Sequence, residues 1–142
     1  MQKIYLVRHA KAKNREKWTG DDSARPLRMR GQRQSLALAA FLESRNLVSL
    51  RTSPAQRCVQ TLEPLAERSG LPLNVDESIM EGQPIQLPDQ PGEHVICAHG
   101  DNIPDLLDSL DIPFEQCQTG SVWILTRDED GCVLDAEYTR PE

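Results

Sequence analysis

Short apolar runs alternate with longer amphipathic segments along this chain, a pattern that is typical of α/β proteins. The first run, Ile4–Val7, is rich in β-branched and aromatic residues and predicts a buried strand near the N-terminus. Similar runs at 47–50, 73–75 and 95–98 predict three more strands. Four short buried strands spread along the chain indicate one central sheet.

Helical spacing of apolar residues follows three of these strands. The stretch 32–44 carries an apolar stripe and predicts a helix. A second helix is predicted over 53–68, because Ser53 suits an N-cap and Pro54 suits the first helical position. A third helix is predicted over 101–110, where apolar residues share one face. Strands and helices therefore alternate as βα units.

The last part of the chain departs from this alternation. Ser121–Thr126 and Cys132–Tyr138 flank the turn-forming run Asp128–Gly131, which predicts a hairpin. Two segments show no sustained period, the polar loop 11–30 and the proline-containing stretch 76–92. The order of elements predicts an α/β fold, a three-layer α/β/α sandwich with a largely parallel central sheet.

Length, charge and cysteine spacing restrict the class of protein. The 142 residues suit a single domain, 1–142, with its own core. A formal net charge of -6 argues against nucleic acid as a partner. We expect no membrane partner and a cytoplasmic location, because we find neither a cationic leader before an apolar segment nor an apolar stretch of membrane-spanning length. The four cysteines show no CxxC pairing and no zinc-like spacing with the three histidines, so no metal site is expected.

Two histidines stand directly after predicted strands. His9 follows Ile4–Val7 with Arg8 between them, and His99 follows 95–98. Ligands of open α/β sheets collect at the carboxyl ends of the strands. Histidines and an arginine at these ends suggest phosphoryl transfer through a phosphorylated histidine.

Phosphoryl transfer to an imidazole needs a neutral ring nitrogen facing phosphorus and a cage of fixed positive charge. His9 is the candidate nucleophile, and Arg8 beside it can grip phosphate oxygens with two parallel hydrogen bonds. Arg57 falls in the first turn of the second predicted helix, where free N–H groups also favour an anion. His99 is the candidate donor to a phosphoryl oxygen from the opposite side.

Three motifs of this chain resemble those of the histidine phosphatase superfamily, which has the phosphoglycerate-mutase-like fold. They are Arg8-His9-Ala10, Ser53–Thr61 (SPAQRCVQT) and His99-Gly100, which match the RHG, SPxxRxxQT and distal HG motifs in order. The resemblance covers essentially the whole chain. Ala10 stands where the family usually has glycine, and alanine is common among its small bacterial members.

The resemblance implies a set of roles and a reaction. It implies that His9 is phosphorylated transiently, that Arg8, Arg57 and His99 form the phosphate pocket, and that water then releases the phosphate. It also implies that neither a metal nor an organic cofactor takes part. A mutase is less favoured, because the segment between the third and fourth strands lacks the long insertions of the larger mutases.

Two further positions distinguish branches of the superfamily. Arg25-Pro26-Leu27 with Gly31 resembles a stretch of the small SixA-type phosphohistidine phosphatases, which implies that Arg25 points into the phosphate pocket. Glu81 stands about where mutases and many small-molecule phosphatases have a general acid. SixA-type enzymes do without this acid, because phosphohistidine has a good leaving group. Whether Glu81 is the acid stays open.

The substrate stays open as well. Lys11-Ala12-Lys13 and Trp18–Asp22 are similar to the C-terminal phosphatase half of actinobacterial MutT-like proteins. That similarity implies a nucleotide, whose phosphates and base Lys11 and Trp18 would meet, and we place Gly100 with Lys11 and Arg25 among the substrate-binding residues. We expect a SixA-like phosphohistidine phosphatase. The alternatives are a phosphatase of nucleoside polyphosphates and a phosphate-binding module without catalysis.

Overall fold

A six-stranded mixed sheet forms the centre of the computed structural model, which describes residues 1–142. The strands lie in the order β3-β2-β4-β1-β5-β6. The elements, in chain order, are β1 Gln2–Arg8, α1 Met29–Leu42, β2 Leu47–Thr52, α2 Gln56–Ser69, β3 Leu73–Val75, β4 Gly92–Ala98, α3 Asn102–Ser109, β5 Val122–Arg127 and β6 Val133–Thr139.

The sheet is parallel over its first four strands and antiparallel at the hairpin. β1 pairs with β4 in parallel, β2 pairs with both β3 and β4 in parallel, and β5 is antiparallel to β1 and β6. Arg8 is the register partner of Ala98. Because His9 and His99 are the next residues on these paired strands, the topology places both imidazoles at one edge of the sheet.

Successive side chains of the central strands point to opposite faces of the sheet and belong to two separate hydrophobic cores. Tyr5 and Val7 of β1 belong to the cluster that packs with α1 and α2, whereas Ile4 and Leu6 belong to the cluster with α3. All four side chains are fully buried. The helices therefore cover both faces of the sheet, and the predicted three-layer α/β fold is confirmed. No helix of the chain has both the length and the apolar character required to cross a membrane.

The prediction that Ser53 caps the second helix with Pro54 at its first position is wrong. Helix α2 begins at Gln56, and its N-cap residue is Ala55. Ser53 lies two residues before the cap, and its hydroxyl accepts a hydrogen bond from Ala55 N at 3.3 Å. The hydroxyl is held there because it also contacts a histidine of the site described below. The predicted loops 11–30 and 76–92 contain short 3₁₀ turns at Asp22–Ala24 and Glu77–Ile79, and both end earlier than predicted, because α1 begins at Met29 and β4 at Gly92.

Candidate active site

The ring of His9 is fixed by a hydrogen bond to the main chain. Its backbone N–H donates to Ala98 O at 3.0 Å, which ties it to the end of β4. Its Nδ1 lies 2.9 Å from Ala10 O. A carbonyl oxygen only accepts, so Nδ1 must carry the proton, and in the neutral ring Nε2 keeps its lone pair. The backbone thus selects the tautomer that a nucleophile acting through Nε2 requires.

The surroundings of His9 keep its ring neutral. Burial lowers the pKa of His9 to about 3, although the hydrogen bond that Nδ1 donates to Ala10 O raises it, and the positive charges of Arg57 and Arg8 act in the same direction as burial. The side chain is almost enclosed, with 8% exposed. An unprotonated imidazole is the form that can attack phosphorus.

Three buried donor atoms around His9 have no partner within the protein. They are Arg8 Nε, Arg57 Nε and His99 Nδ1. Arg57 is 1% exposed and His99 is 2% exposed, so these donors are out of reach of bulk solvent. Buried donors are normally satisfied, and each one left without an acceptor costs free energy. Their convergence beside one neutral imidazole is the arrangement that an oxyanion would complete.

The orientation of His99 comes from three side chains outside the cavity, and one of them is Cys58, whose Sγ lies 3.7 Å from His99 Nε2. Ser53 Oγ lies 2.8 Å from His99 Nε2. The backbone N–H of His99 donates to Asn102 Oδ1 at 2.8 Å. If Nε2 accepts from the Ser53 hydroxyl, Nδ1 carries the proton and is free to donate to a ligand. The rings of His9 and His99 meet edge to face with centroids 5.6 Å apart.

A carboxylate enters the site from the loop after β3. Glu81 Oε2 accepts from Arg57 Nη2 at 2.9 Å. Arg15 Nη2 donates to both oxygens of the same carboxylate, at 3.2 Å and 3.3 Å. Asp22 Oδ2 lies 3.2 Å from Arg57 Nη2 and Asp22 Oδ1 lies 3.5 Å from Arg15 Nε. Glu81 and Asp22 thus each form ion pairs with both Arg57 and Arg15.

The loop that carries Glu81 is fastened to the start of α3. Asn102 Nδ2 donates to Ile79 O at 3.2 Å and to Met80 O at 3.3 Å. Asp101 Oδ2 accepts from Gly82 N at 2.7 Å. Since Asn102 also accepts from His99 N, a single buried amide sets the position of Glu81 relative to His99.

Several of these side chains line a cavity of about 340 Å³ with no hydrophobic residue, whereas Arg57, expected in the phosphate pocket, is not among the lining residues and contacts one of them, Glu81. Gly100 forms part of its wall, and a Cβ added there would lie 2.6 Å from Arg8 Cζ. Glycine therefore lets the Arg8 guanidinium pass close to the backbone, while Arg8 Nη1 donates to Cys117 O at 2.7 Å. The lining residues are Arg8, His9, Arg15, Glu81, His99, Gly100 and Asp101.

Two residues assigned to substrate binding from the sequence do not line this cavity. Arg25 is buried, and it donates through Nε to Asp22 Oδ1 at 3.0 Å and through Nη1 to Lys13 O at 2.7 Å. It acts on the site through Asp22, which pairs with Arg57. Lys11 makes its contact through the backbone, because its N–H donates to Gln34 Oε1 at 2.8 Å. Trp18 Nε1 donates to Asp21 O at 2.9 Å and fastens the polar loop.

Several residues of the site were not anticipated. Arg15 and Asp22 lie in a loop without periodicity, so their meeting with Glu81 depends on tertiary structure. Thr61 was quoted only as part of a motif, yet its hydroxyl accepts from Ala10 N at 2.8 Å and donates to Arg57 O at 2.6 Å. The chain contains no cluster of three or more His, Cys, Asp or Glu side chains that could hold a metal ion.

Comparison with known proteins agrees with this geometry. Residues 4–87 match the model of the histidine phosphatase superfamily (branch 1). An 8-oxo-(d)GTP phosphatase of Mycolicibacterium smegmatis is 31% identical in an alignment 155 residues long. The alignment covers 97% of this chain and 48% of that protein. The chain thus spans about half the length of this curated relative.

Solved structures share the fold at lower identity. The protein histidine phosphatase SixA complexed with tungstate superposes with a TM-score of 0.83 at 21% identity, over 98% of this chain and 97% of that chain. A mycobacterial glucosyl-3-phosphoglycerate phosphatase superposes with a TM-score of 0.73 at 16% identity, over 97% of both chains. These likenesses establish the fold that the sheet topology describes.

Proposed function

We propose a phosphatase function for this chain, which belongs to the histidine phosphatase superfamily (branch 1). The reaction is hydrolysis of a phosphomonoester, phosphoanhydride or phosphoramidate through a phosphohistidine on His9. The observation that carries the proposal is the bond from His9 Nδ1 to Ala10 O beside three unpartnered buried donors. That arrangement presents a neutral nucleophile to an oxyanion held by fixed positive charge.

The first step transfers the phosphoryl group to the protein. The lone pair of His9 Nε2 forms a bond to phosphorus while the bond from phosphorus to the leaving oxygen or nitrogen breaks. Arg8, Arg57 and His99 hold the phosphoryl oxygens, whose negative charge they offset in the transition state. Glu81, in its protonated form, gives its proton to the leaving oxygen.

The second step releases phosphate. A water molecule attacks phosphorus, its proton passes to the Glu81 carboxylate, and the bond between phosphorus and Nε2 breaks. The electron pair of that bond returns to Nε2, so His9 is regenerated as a neutral imidazole. The products are inorganic phosphate and the dephosphorylated leaving group.

Glu81 bears on the class of substrate. Its carboxylate lines the cavity and contacts Arg57, a position from which it can reach a leaving group. An acid at this place helps a substrate whose leaving oxygen needs a proton, such as a nucleotide, and gives little help to phosphohistidine. We therefore propose a nucleotide or related small phosphoester as the substrate, and the 31% identity to an 8-oxo-(d)GTP phosphatase supports this class.

A phosphohistidine protein is the second candidate, and the shape of the site favours it. The cavity is polar and open, which suits a phosphorylated side chain presented on another protein's surface. In that reaction the leaving group is an imidazole, and Glu81 is dispensable.

The test is phosphate release, without added metal, by the wild type and His9→Ala. The substrates are a panel of nucleoside mono-, di- and triphosphates and a phosphohistidine protein. Release from nucleotides that is lost in His9→Ala supports the first proposal, and His9-dependent release from phosphohistidine alone supports the second. Turnover retained by His9→Ala would exclude His9 as nucleophile, and turnover of no substrate would favour a binding module.

A further inference from the structure

A second cationic cavity lies on the far side of the backbone that carries His9. It measures about 360 Å³, and none of its lining residues is hydrophobic. It opens beside the first turns of α1, the end of β6 and the residues before β5. Its lining consists of Arg30, Arg33, Gln34, Thr119, Gly120, Arg140 and Glu142.

The charge of this cavity is unbalanced. Three arginines line it together with Glu142, whose side-chain Oε1 lies 3.8 Å from Arg30 Nε. Arg33 and Arg140 have no carboxylate within ion-pairing distance. Arg30, Arg33 and Arg140 are exposed, and an anion that binds between their guanidinium groups offsets their mutual repulsion. The start of α1, whose N-cap residue Arg28 makes no side-chain capping bond, adds the positive end of a helix dipole.

The floor of the cavity is formed by a buried side chain, Gln34, whose amide oxygen and nitrogen are both hydrogen-bonded. Gln34 is 5% exposed, its Oε1 accepts from Lys11 N at 2.8 Å and its Nε2 donates to Thr119 O at 3.2 Å. Gly120 has φ 75°, and a Cβ there would lie 2.9 Å from Gln34 Cδ. The close approach of Gly120 to Gln34 therefore holds the loop before β5 against α1.

The same floor touches the backbone of the catalytic strand. Gly120 N donates to both Arg8 O and His9 O at 3.1 Å. The bond from Lys11 N to Gln34 fixes the chain three residues after Arg8. The segment from Arg8 to Lys11 thus links the two cavities: Arg8 and His9 line the first, and Gln34 and Gly120 of the second are hydrogen-bonded to the backbone of the segment.

We propose that this cavity is a second anion site, for a compact, multiply charged oxyanion of the phosphate class. Arginine is the residue best suited to such groups, because its planar donors match two oxygens at once. The absence of hydrophobic lining argues for the oxyanion itself rather than for a base or sugar. The site is independent of the residues to which we assign catalysis.

Backbone amide NMR during titration with inorganic phosphate tests the proposal, because it reports the two cavities separately. In the wild type we expect the amides of Arg33, Gln34 and Thr119 to shift with a Kd of their own, different from that of Gly100 in the active site. The Gly120 N–H also donates to Arg8 O and His9 O, so only the part of its shift that follows this Kd is counted as binding at Gly120. In the double variant Arg33→Ala/Arg140→Ala, we expect binding at Gly120 to weaken at least tenfold and the Gly100 titration to stay unchanged. Arg68→Ala, an exposed arginine that lines neither cavity, is the matched control and should change neither.

The proposal is overturned if Gly120 and Gln34 titrate with the same Kd as Gly100, or if the double variant binds at Gly120 as the wild type does. Adenosine monophosphate, added to His9→Ala, separates free phosphate from a phosphoryl group on a larger molecule. If adenosine monophosphate binds at Gly120 with a Kd at least tenfold weaker than that of inorganic phosphate, the second cavity is a site for the free oxyanion. If its Kd is equal or tighter, the second cavity is a site for a phosphoryl group on a larger molecule. If the wild type binds phosphate at Gly120 and not at Gly100, the result counts against the proposed phosphatase function and still supports the second anion site.

Discussion

Arg57 Nη2 and Glu81 Oε2 lie 2.9 Å apart inside the candidate active site, where Arg57 is almost completely buried. The same guanidinium is one of the groups proposed to hold the phosphoryl oxygens. A phosphate that enters the cavity must therefore compete with the Glu81 carboxylate for Arg57.

Glu81→Gln should separate substrates by their leaving groups. General acid catalysis contributes about 100-fold or more where the leaving oxygen needs a proton. We expect a loss of about that size in kcat for an alkyl phosphate or a nucleotide, and a loss below about tenfold for p-nitrophenyl phosphate, whose leaving group departs as an anion. Steady-state kinetics on the two substrates measures the difference. Glu77→Gln, an exposed neighbour in the same loop, should change neither, and an equal loss on both substrates would argue against the acid role.

The buried imidazole of His9 should make the folded state sensitive to acid. Its pKa is lowered from 6.5 to about 3 by burial. Below pH 6.5 the unfolded chain binds a proton at this residue that the folded chain does not bind, so the free energy of unfolding falls as the pH falls. The stability that the neutral His9 ring allows is fully present above pH 6.5. Below that pH the free energy of unfolding falls by about 1.4 kcal/mol per pH unit, until the pH reaches about 3.

Urea unfolding at pH 6.5 and pH 4.5 measures this effect against His9→Asn. Over that interval the wild type should lose about 2 to 3 kcal/mol more than the variant. The His9 ring signals in NMR should also stay constant across the same pH range. A ring that titrates near pH 6.5, or equal losses in the two proteins, would contradict the assigned environment.

How much of the site the sequence could predict depends on whether local structure fixes the residue. His9 and His99 follow apolar runs, and parallel pairing of those runs necessarily places them side by side. Ser53 was wrongly expected to be an N-cap, because local propensity gives no sign that His99 competes for its hydroxyl. The contact of Arg15 with Glu81 joins two irregular loops 66 residues apart, and nothing in the chain between them encodes that distance.

Gly100→Ala should damage the site with little effect on the fold. The added Cβ would lie 2.6 Å from Arg8 Cζ and 2.8 Å from Arg8 Nε, so the guanidinium has to move. A hydrogen bond to a charged group contributes about 1.5 to 3 kcal/mol, and we expect kcat/KM to fall about ten- to a hundredfold. Gly70→Ala is the opposite control. Its φ of 75° with no atom near the added Cβ should lower the free energy of unfolding by about 1 kcal/mol and leave kcat/KM unchanged. Full activity in Gly100→Ala would contradict the tight fit at Arg8.

Thr61 connects the segment after His9 to helix α2, which carries Arg57, and we expect its hydroxyl to matter more than its shape. It accepts from Ala10 N and donates to Arg57 O, and Ala10 O in turn holds His9 Nδ1. Thr61→Val keeps the volume and leaves the buried Ala10 N–H without an acceptor, which costs about 1 to 3 kcal/mol in urea unfolding. We also expect a lower kcat with little change in KM, because the Ala10 peptide that orients His9 is no longer held. Thr61→Ser retains the hydroxyl and should recover most of kcat. If Thr61→Ser lowers kcat and Thr61→Val does not, the methyl group rather than the hydrogen bond positions His9.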